Sequence, residues 1–444
     1  MIKSVFIANR GEIAVRIIRA AKDLHITSVL GYSTADKDSL AYRMADKKVC
    51  IGGPKSSESY LNISNIISGA IASKCDAIHP GVGFLSENAD FAEIVTSSGL
   101  IFIGPDSATI RLLGDKIASR NVAIEAGVPI TPGSTKAVID IEDAYTIAKE
   151  VGYPIMLKAS AGGGGRGIRI VRNEKELPHA LTISKTEAMS FFMDDAVHIE
   201  KYLDHPRHVE VQLMGDGKGG AFHLGERDCS VQHNHQKLIE ESPSTAISSL
   251  MRKRMTDDAV RLCSHLHYKG AGTVEFLVQD NEYYFMEVNA RVQVEHPVSE
   301  VVNFVDIIKE QFIIASNEKM SMTSSLSSIQ SHAIEVRINA LQAGIIKELH
   351  LPSGPWVRVD SHIFRGYSVS PYYDALLAKI IVHTAERQEC IDIMLRALDE
   401  LEIEGVATNK DEQIAILTSK QFRSGAFTTQ LYEQLFPTKG ENDE

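Results

Sequence analysis

The 444-residue sequence predicts a multidomain protein of mixed α/β and α+β class. Three observations carry that prediction. Short apolar strands alternate with helical stretches through residues 1–113, which predicts a parallel sheet covered by helices. A run of glycines at Tyr153–Arg172 sits between two apolar strands. A later strand, Met286–Glu295, alternates polar and apolar residues at period two. The length corresponds to roughly three domains at about 100–200 residues each.

The first unit is expected to carry strands at Ser4–Ala8, Ser28–Tyr32, Ala77–His79 and Ile101–Ile103, with helices at Ile13–Asp23, Leu61–Ser73 and Phe91–Ser97 between them. Its first turn, A-N-R-G-E-I-A, is not the G-x-G-x-x-G of a dinucleotide site, so the layout is Rossmann-like without that function. A helix over Asp115–Ala126 ends at Gly127. Residues 130–205 read as a compact unit: a helix near Ile141–Val151, two strands around the glycines, and a helix near Glu174–Ala188. Residues 206–310 carry long strands and one helix, Leu250–Lys269. Ser321–Ser331 reads as a serine-rich linker, and a mixed domain follows over 332–440.

Composition excludes several classes. A net charge of −12 argues against a nucleic-acid partner, which calls for a basic face. No apolar run approaches the roughly 18 residues of a membrane span, and MIKSVFIANRGE reads as a first strand rather than a signal peptide. The five cysteines are scattered without a C-x-x-C pair, which fits reduced thiols in the cytoplasm.

In the glycine stretch Y-P-I-M-L-K-A-S-A-G-G-G-G-R-G-I-R-I-V-R, backbone N–H groups can approach phosphate oxygens closely, and Lys158 adds a compact positive charge. A Walker A loop is excluded because no G-K-[ST] follows and the next element is a strand. A glycine flap between two strands is what an ATP-grasp phosphate lid requires; a surface hairpin is the alternative.

The alternating strand puts Glu287, Asn289, Arg291, Gln293 and Glu295 on one face. The preceding strand, T-V-E-F-L-V, offers Glu275, with a hairpin turn at Asp280–Glu282. Glu275 and Glu287, with Asn289, provide hard oxygen ligands for Mg²⁺, and Arg291 a planar fork for a small oxyanion. A half-solvated sheet face also alternates, but it is usually richer in lysine, threonine and serine. Gly225–Lys237 contains His233 and His235 without a third ligand at zinc spacing; Arg227, Gln232, His235 and Lys237 suit anions better, or form a solvated loop.

These segments together resemble the biotin carboxylase family. The resemblance runs from I-A-N-R-G-E-I-A (Ile7–Ala14) through H-P-G-x-G-F-L-S-E-N (His79–Asn88), G-D-K (Gly114–Lys116), E-K-Y-L (Glu200–Leu203), R-H-V-E (Arg207–Glu210), E-R-D-C-S (Glu226–Ser230), Q-V-E-H-P-V (Gln293–Val298) and R-I-N-A (Arg337–Ala340) to P-Y-Y-D (Pro371–Asp374). It implies an ATP-grasp fold over 114–315, with a mobile lid at 130–205, preceded by a Rossmann-like domain at 1–113 and followed by a mixed C-terminal domain at 332–440. It implies that Lys116, Lys158, His208, Gly164 and Gly165 bind ATP phosphates, that Glu200, Lys201 and Leu203 line the adenine pocket, and that His235 touches the nucleotide. Glu275, Glu287 and Asn289 would hold Mg²⁺ (or Mn²⁺). Lys237, Arg291, Gln293 and the Val294 backbone would bind bicarbonate, Glu295 would be the general base, and Arg337 would sit beside biotin.

The implied activity is ATP- and bicarbonate-dependent carboxylation of biotin on a separate carrier protein, as the first half-reaction of acetyl-CoA carboxylase in fatty acid synthesis. The implied partners are the biotin carboxyl carrier protein, carboxyltransferase subunits and a second copy of the chain. No A-M-K-M biotinylation motif occurs in the sequence. The chain departs from the family pattern at Val82 (usually tyrosine), Ala161 (usually glycine), His233 and Asn234 (usually arginines) and after Ala340. The departures gather at the biotin end, which keeps an attenuated or regulatory paralogue as an alternative beside an ATP-grasp carboxylate–amine ligase.

Overall fold

The structure is a computed structural model and describes residues 2–134, 136–160, 168–321 and 331–437. The N-terminal unit is a five-stranded sheet in the order Lys47–Gly52, Thr27–Ser33, Ser4–Ile7, Ala77–His79, Ile101–Phe102. Every pairing is parallel. The central strands are buried on both faces and read as continuous apolar runs. Lys47–Gly52 carries no such run because it lies at the edge and is largely exposed; its two lysines discourage pairing with another chain. That strand is absent from the sequence reading for this reason.

A three-stranded antiparallel sheet follows, in the order Ile168–Val171, Ile155–Ala159, Val197–Lys201. Helices Ile141–Val151 and Leu177–Phe192 bury its apolar face around Leu157, Ile199 and Leu181. The glycines between the first two strands, Gly164 and Gly165 among them, lie outside the described residues. The same holds for residues 322–330 of the serine-rich stretch.

The largest element is an eight-stranded antiparallel sheet. Its order is Glu282–Asn289, Lys269–Gln279, Arg207–Asp216, Ala221–His233, Gln236–Ser242, His332–Asn339, Leu376–Thr384, Val357–Ser361. The C-terminal region therefore adds three strands to the sheet of the middle region, joined where Gln236–Ser242 pairs with His332–Asn339. Helix Ser249–His265 ends before the sheet strand that starts at Lys269, four residues earlier than the sequence pattern suggests. The segment after Ala340 forms two small ladders, Gly344–Ile345 with Ser368–Val369 and Glu348–His350 with Glu402–Glu404.

One expectation is corrected in a way that matters for the site. The strand expected to run through Glu295 stops at Asn289. Residues 290–295 turn, and Glu295 precedes helix His296–Asn303, whose early Pro297 favours a helix start. The alternation survives because Ala290 and Val292 still turn into the core. The hairpin before it turns at Asp280 and Asn281, whose φ values of 52° and 68° match a two-residue type I′ turn. No helix among the described residues is long and apolar enough to cross a membrane.

The C-terminal segment is tied to the sheet by Arg207. Its guanidinium donates to buried Asp228 at 2.6 Å and to the carbonyls of Gly425 at 2.9 Å and Phe427 at 2.6 Å. It also lies 3.6 Å from the centre of the Phe427 ring. Arg207→Ala leaves Asp228 buried without its cation and should lower unfolding stability by about 3–5 kcal/mol. Denaturant unfolding checks this; a loss within about 0.5 kcal/mol, as for an ordinary surface change, would contradict it.

Candidate active site

A cleft of about 1480 Å³ opens where the three units meet. Every site residue expected from the sequence and lying among the described residues lines it, except Arg227. The floor is set by strand register. Glu287, Glu275 and Glu210 are consecutive partners across three neighbouring strands, and Arg227 is the next partner along. Acids directly opposite one another repel, so this row requires a cation.

Lys237 supplies it. Its ammonium donates to Glu210 Oε2 at 2.7 Å, Glu275 Oε1 at 3.0 Å and Glu295 Oε1 at 2.7 Å. Burial works against that charge, but the three carboxylates outweigh it and hold the ammonium well above its ordinary pKa. The carboxylates respond in kind. Burial alone would raise Glu275, yet Lys237 and His208 pull it far below the usual range; His208 Nε2 stands 2.9 Å from Glu275 Oε2. Burial likewise opposes ionisation of Glu295, and Lys237, Arg337 and Arg227 overcome it.

The second oxygen of Glu295 accepts from Arg337 at 3.0 Å. Arg337 also donates to Glu240 at 2.7 Å. Glu240 is fully buried, and burial with the nearby Glu295 pushes its carboxyl up to about 7 against the pull of Arg337. Arg291 faces the same space from the turn after Asn289. It donates to Gln293 at 2.8 Å, Asn289 at 3.0 Å and Glu87 at 2.8 Å. Glu87 takes a second bond from the Ala290 backbone at 3.0 Å, so a loop of the N-terminal unit sets the arginine's direction.

The other end of the cleft is cationic. Lys158 pairs with Glu200 at 2.7 Å, and Glu200 also accepts from Thr131 at 3.1 Å and meets His198 at 3.1 Å. Lys116 opens the helix Lys116–Glu125; burial and the neighbouring Lys158 lower its pKa. Two ammonium groups facing one cleft, one of them destabilised there, are a receptor for a polyanion. Lys201 lines the cleft, but its ammonium turns to the carbonyls of Gly152 and Tyr153. His235 is exposed at the mouth, on a tight turn with Asn234, while His233 packs on Tyr432 at 4.1 Å between ring centres.

The acidic residues fit a divalent cation. Glu287 is half-buried beside its cross-strand partner Glu275, and desolvation and that like charge push its carboxyl up while Lys116 opposes. A cation there would relieve both penalties. Asn289 lies next to them, donating to Glu275 at 2.8 Å.

The sequence reading needs one correction and four additions. Arg227 is not an anion binder: it is fully buried and donates to Glu210, Gln212 and Ser299. Glu87, Glu210 and Glu240 each hold a site residue in place, Arg227 in turn holds Glu210, and none was assigned that role. Glu210 was legible from the alternation in H-V-E-V-Q. Glu87 was not, because its loop carries no periodic pattern and its partner is 204 positions away.

Comparison with known proteins agrees across the chain. Residues 1–110 match the model for the biotin carboxylase N-terminal domain, 115–323 the carbamoyl-phosphate synthase L chain ATP-binding domain, and 336–434 the biotin carboxylase C-terminal domain. The chain is 47% identical over 442 residues to a biotin carboxylase of Pseudomonas aeruginosa, covering 98% of each. A biotin carboxylase from Campylobacter jejuni, solved as a β,γ-ATP complex, superposes with a TM-score of 0.94 at 44% identity, covering 98% of this chain and 99% of that one. The biotin carboxylase domain dimer of a Hydrogenobacter thermophilus 2-oxoglutarate carboxylase, solved with MgADP, ADP and bicarbonate, gives 0.92 at 42% identity, covering 98% of each.

Charge balance at Lys237 makes a prediction about pH. Glu275 and Glu295 have depressed folded-state pKa values, so they stabilise the fold above the ordinary glutamate value of about 4.3, and that stability is lost as pH falls below it. Lys237→Met should invert the sign: its carboxylates, buried without their cation, are relieved by protonation. The melting temperature of Lys237→Met should therefore rise relative to wild type as pH falls through the acid range. Parallel curves for the two proteins would contradict the arrangement.

Proposed function

The chain belongs to the biotin carboxylase family of ATP-dependent ligases, and from that premise we propose that it uses MgATP to activate bicarbonate and then carboxylates biotin on a separate carrier protein. The observation that carries this reading is the placement of Glu295 between Lys237 and Arg337, one oxygen on each. One carboxylate thus touches the residue proposed for the anion and the residue proposed for biotin. A carboxylate–amine ligase has no use for that bridge.

Lys116, Lys158, His208, Gly164 and Gly165 would bind the phosphates. Glu200, Lys201, Leu203 and His235 would surround the rest of the nucleotide. Glu275 and Glu287, with Asn289, would hold Mg²⁺, which neutralises phosphate charge when bound. Lys237, Arg291, Gln293 and the Val294 backbone would hold bicarbonate.

Glu295 is a weak base while it has Lys237 and Arg337 to itself. An anion arriving at Lys237 and Arg291 takes up part of that positive charge and returns basicity to Glu295. Glu295 then accepts the bicarbonate proton. The freed oxygen attacks the γ-phosphorus, the bond to ADP breaks, and carboxyphosphate forms. Positioning and charge neutralisation supply most of the rate. Carboxyphosphate divides into CO₂ and phosphate; the phosphate takes the ureido proton of biotin, whose nitrogen attacks CO₂. Arg337 stabilises the ureido oxyanion.

For the finer role we propose the first half-reaction of acetyl-CoA carboxylase in fatty acid synthesis, with a biotin carboxyl carrier protein and carboxyltransferase subunits as partners. The 2-oxoglutarate enzyme of Hydrogenobacter thermophilus defines the competing acceptor. Assembly as a homodimer in the cytoplasm completes the reading. Exposed Phe304 and Trp356, which flank His383, support a self-association face, and the free cysteines support a reducing compartment.

A paired assay of ADP and carboxybiotin tests the assignments. Glu295→Gln should abolish both products. Arg337→Ala should cut carboxybiotin by roughly 10²–10³-fold, the usual effect of losing one oxyanion donor, while bicarbonate-dependent ADP release persists. Equal loss of both products in folded Arg337→Ala would move Arg337 to the phosphate-transfer end.

A further inference from the structure

Lys379 is a lysine with no exposed surface, on the strand Leu376–Thr384 of the C-terminal region. Its ammonium makes two contacts that lead out of that region. It donates to the backbone carbonyl of Val294 at 2.7 Å and stands 3.2 Å from Glu12 Oε2, in the first turn of helix Gly11–Asp23. Its partners on the two neighbouring strands are Arg337 and Asp360. We propose that Lys379 is a positioning residue for the bicarbonate end of the site, fixing the peptide that joins Val294 to Glu295 relative to the strand that carries Arg337. The inference rests on the reading that the Val294 backbone and Glu295 receive bicarbonate.

The local chain explains why such a residue is needed. Residues 290–295 belong neither to the strand that ends at Asn289 nor to the helix that begins at His296. No ladder or helix bond holds the Val294 carbonyl; it takes its hydrogen bond from a side chain instead. That carbonyl belongs to the peptide immediately before Glu295. Rotating the peptide would swing the Val294 backbone and the Glu295 side chain together, and small displacements at a reacting centre are costly.

Burial of a charge for packing alone is a poor bargain, since an apolar side chain of similar volume usually serves as well. Here the charge is kept. Burial opposes it, while Glu12, Glu335 and Asp360 favour it and Arg358 disfavours it, with the net effect that the ammonium is held above its ordinary pKa. A permanently charged donor on a backbone oxygen gives a short, directional bond that survives desolvation. The three units thus meet at one nitrogen: Glu12 from the first, the Val294 peptide from the second, and Lys379 itself from the third.

The test separates positioning from stability. Lys379→Met keeps the volume and removes the donor, but it also leaves Glu12 without its cation. The double variant Lys379→Met/Glu12→Gln removes that second penalty. The inference predicts a bicarbonate KM raised roughly 10- to 100-fold in both variants, the range for losing a charged hydrogen bond, with the KM for ATP unchanged. The melting temperature should fall in the single variant and recover in the double variant, while the bicarbonate KM stays high. A double variant with a wild-type bicarbonate KM would overturn the proposal, as would equal rises in both KM values. Wild-type ADP release that ignores bicarbonate would instead overturn the reading on which the proposal rests.

Discussion

Three buried glutamates share one lysine at the bottom of the cleft, and most of the site's geometry follows from that arrangement. Glu210 and Glu275 come from neighbouring strands, and Glu295 from the turn that leads into helix His296–Asn303. Without Lys237 their mutual repulsion in a low-dielectric interior would drive them apart or force them to take up protons. With it, Glu275 and Glu295 stay ionised, so both keep the negative charge that a cation ligand or a proton acceptor requires. Lys237 is itself partly exposed to the cleft, which lets an incoming anion compete for its charge.

The same logic of shared charges connects the units. Glu87 reaches from the N-terminal unit to Arg291, and Tyr373 of the C-terminal region donates to the Pro54 carbonyl at 2.5 Å and lies 2.6 Å from Ser33. Arg10 adds a bidentate pair with Asp36 beneath the Tyr373 ring. The contacts of Glu87 and Tyr373 cross long stretches of sequence, so neither forms until the units have docked. The active site is a property of the assembled molecule and not of any one domain.

That explains which features were legible in the sequence. The row of polar residues from Glu287 to Glu295 was readable because period two survives the end of the strand: Ala290 and Val292 still have to be buried. The parallel order of the first sheet was readable from alternating strands and helices, except for Lys47–Gly52, whose exposure leaves no apolar signal. Arg227 looked like an anion binder because arginine beside histidine and lysine usually is one. Only the fold puts it under Glu210 with no exposed surface. Glu87, Glu240 and Lys379 were silent because their meaning lies in partners that sequence spacing does not reveal. The roles taken from family motifs, such as Arg337 beside biotin, rest on those motifs together with the placement of Glu295.

The central claim is that Glu295, Lys237 and Arg291 present bicarbonate as a nucleophile to the terminal phosphate of ATP. Bicarbonate labelled in all its oxygens with oxygen-18 tests this directly, with free biotin present and the released phosphate examined by mass spectrometry. The account predicts one labelled oxygen in each phosphate, because the attacking oxygen stays with phosphorus when carboxyphosphate breaks down. Phosphate released without label, while carboxybiotin is still formed, would mean that water attacks ATP and that the site does not activate bicarbonate in this way.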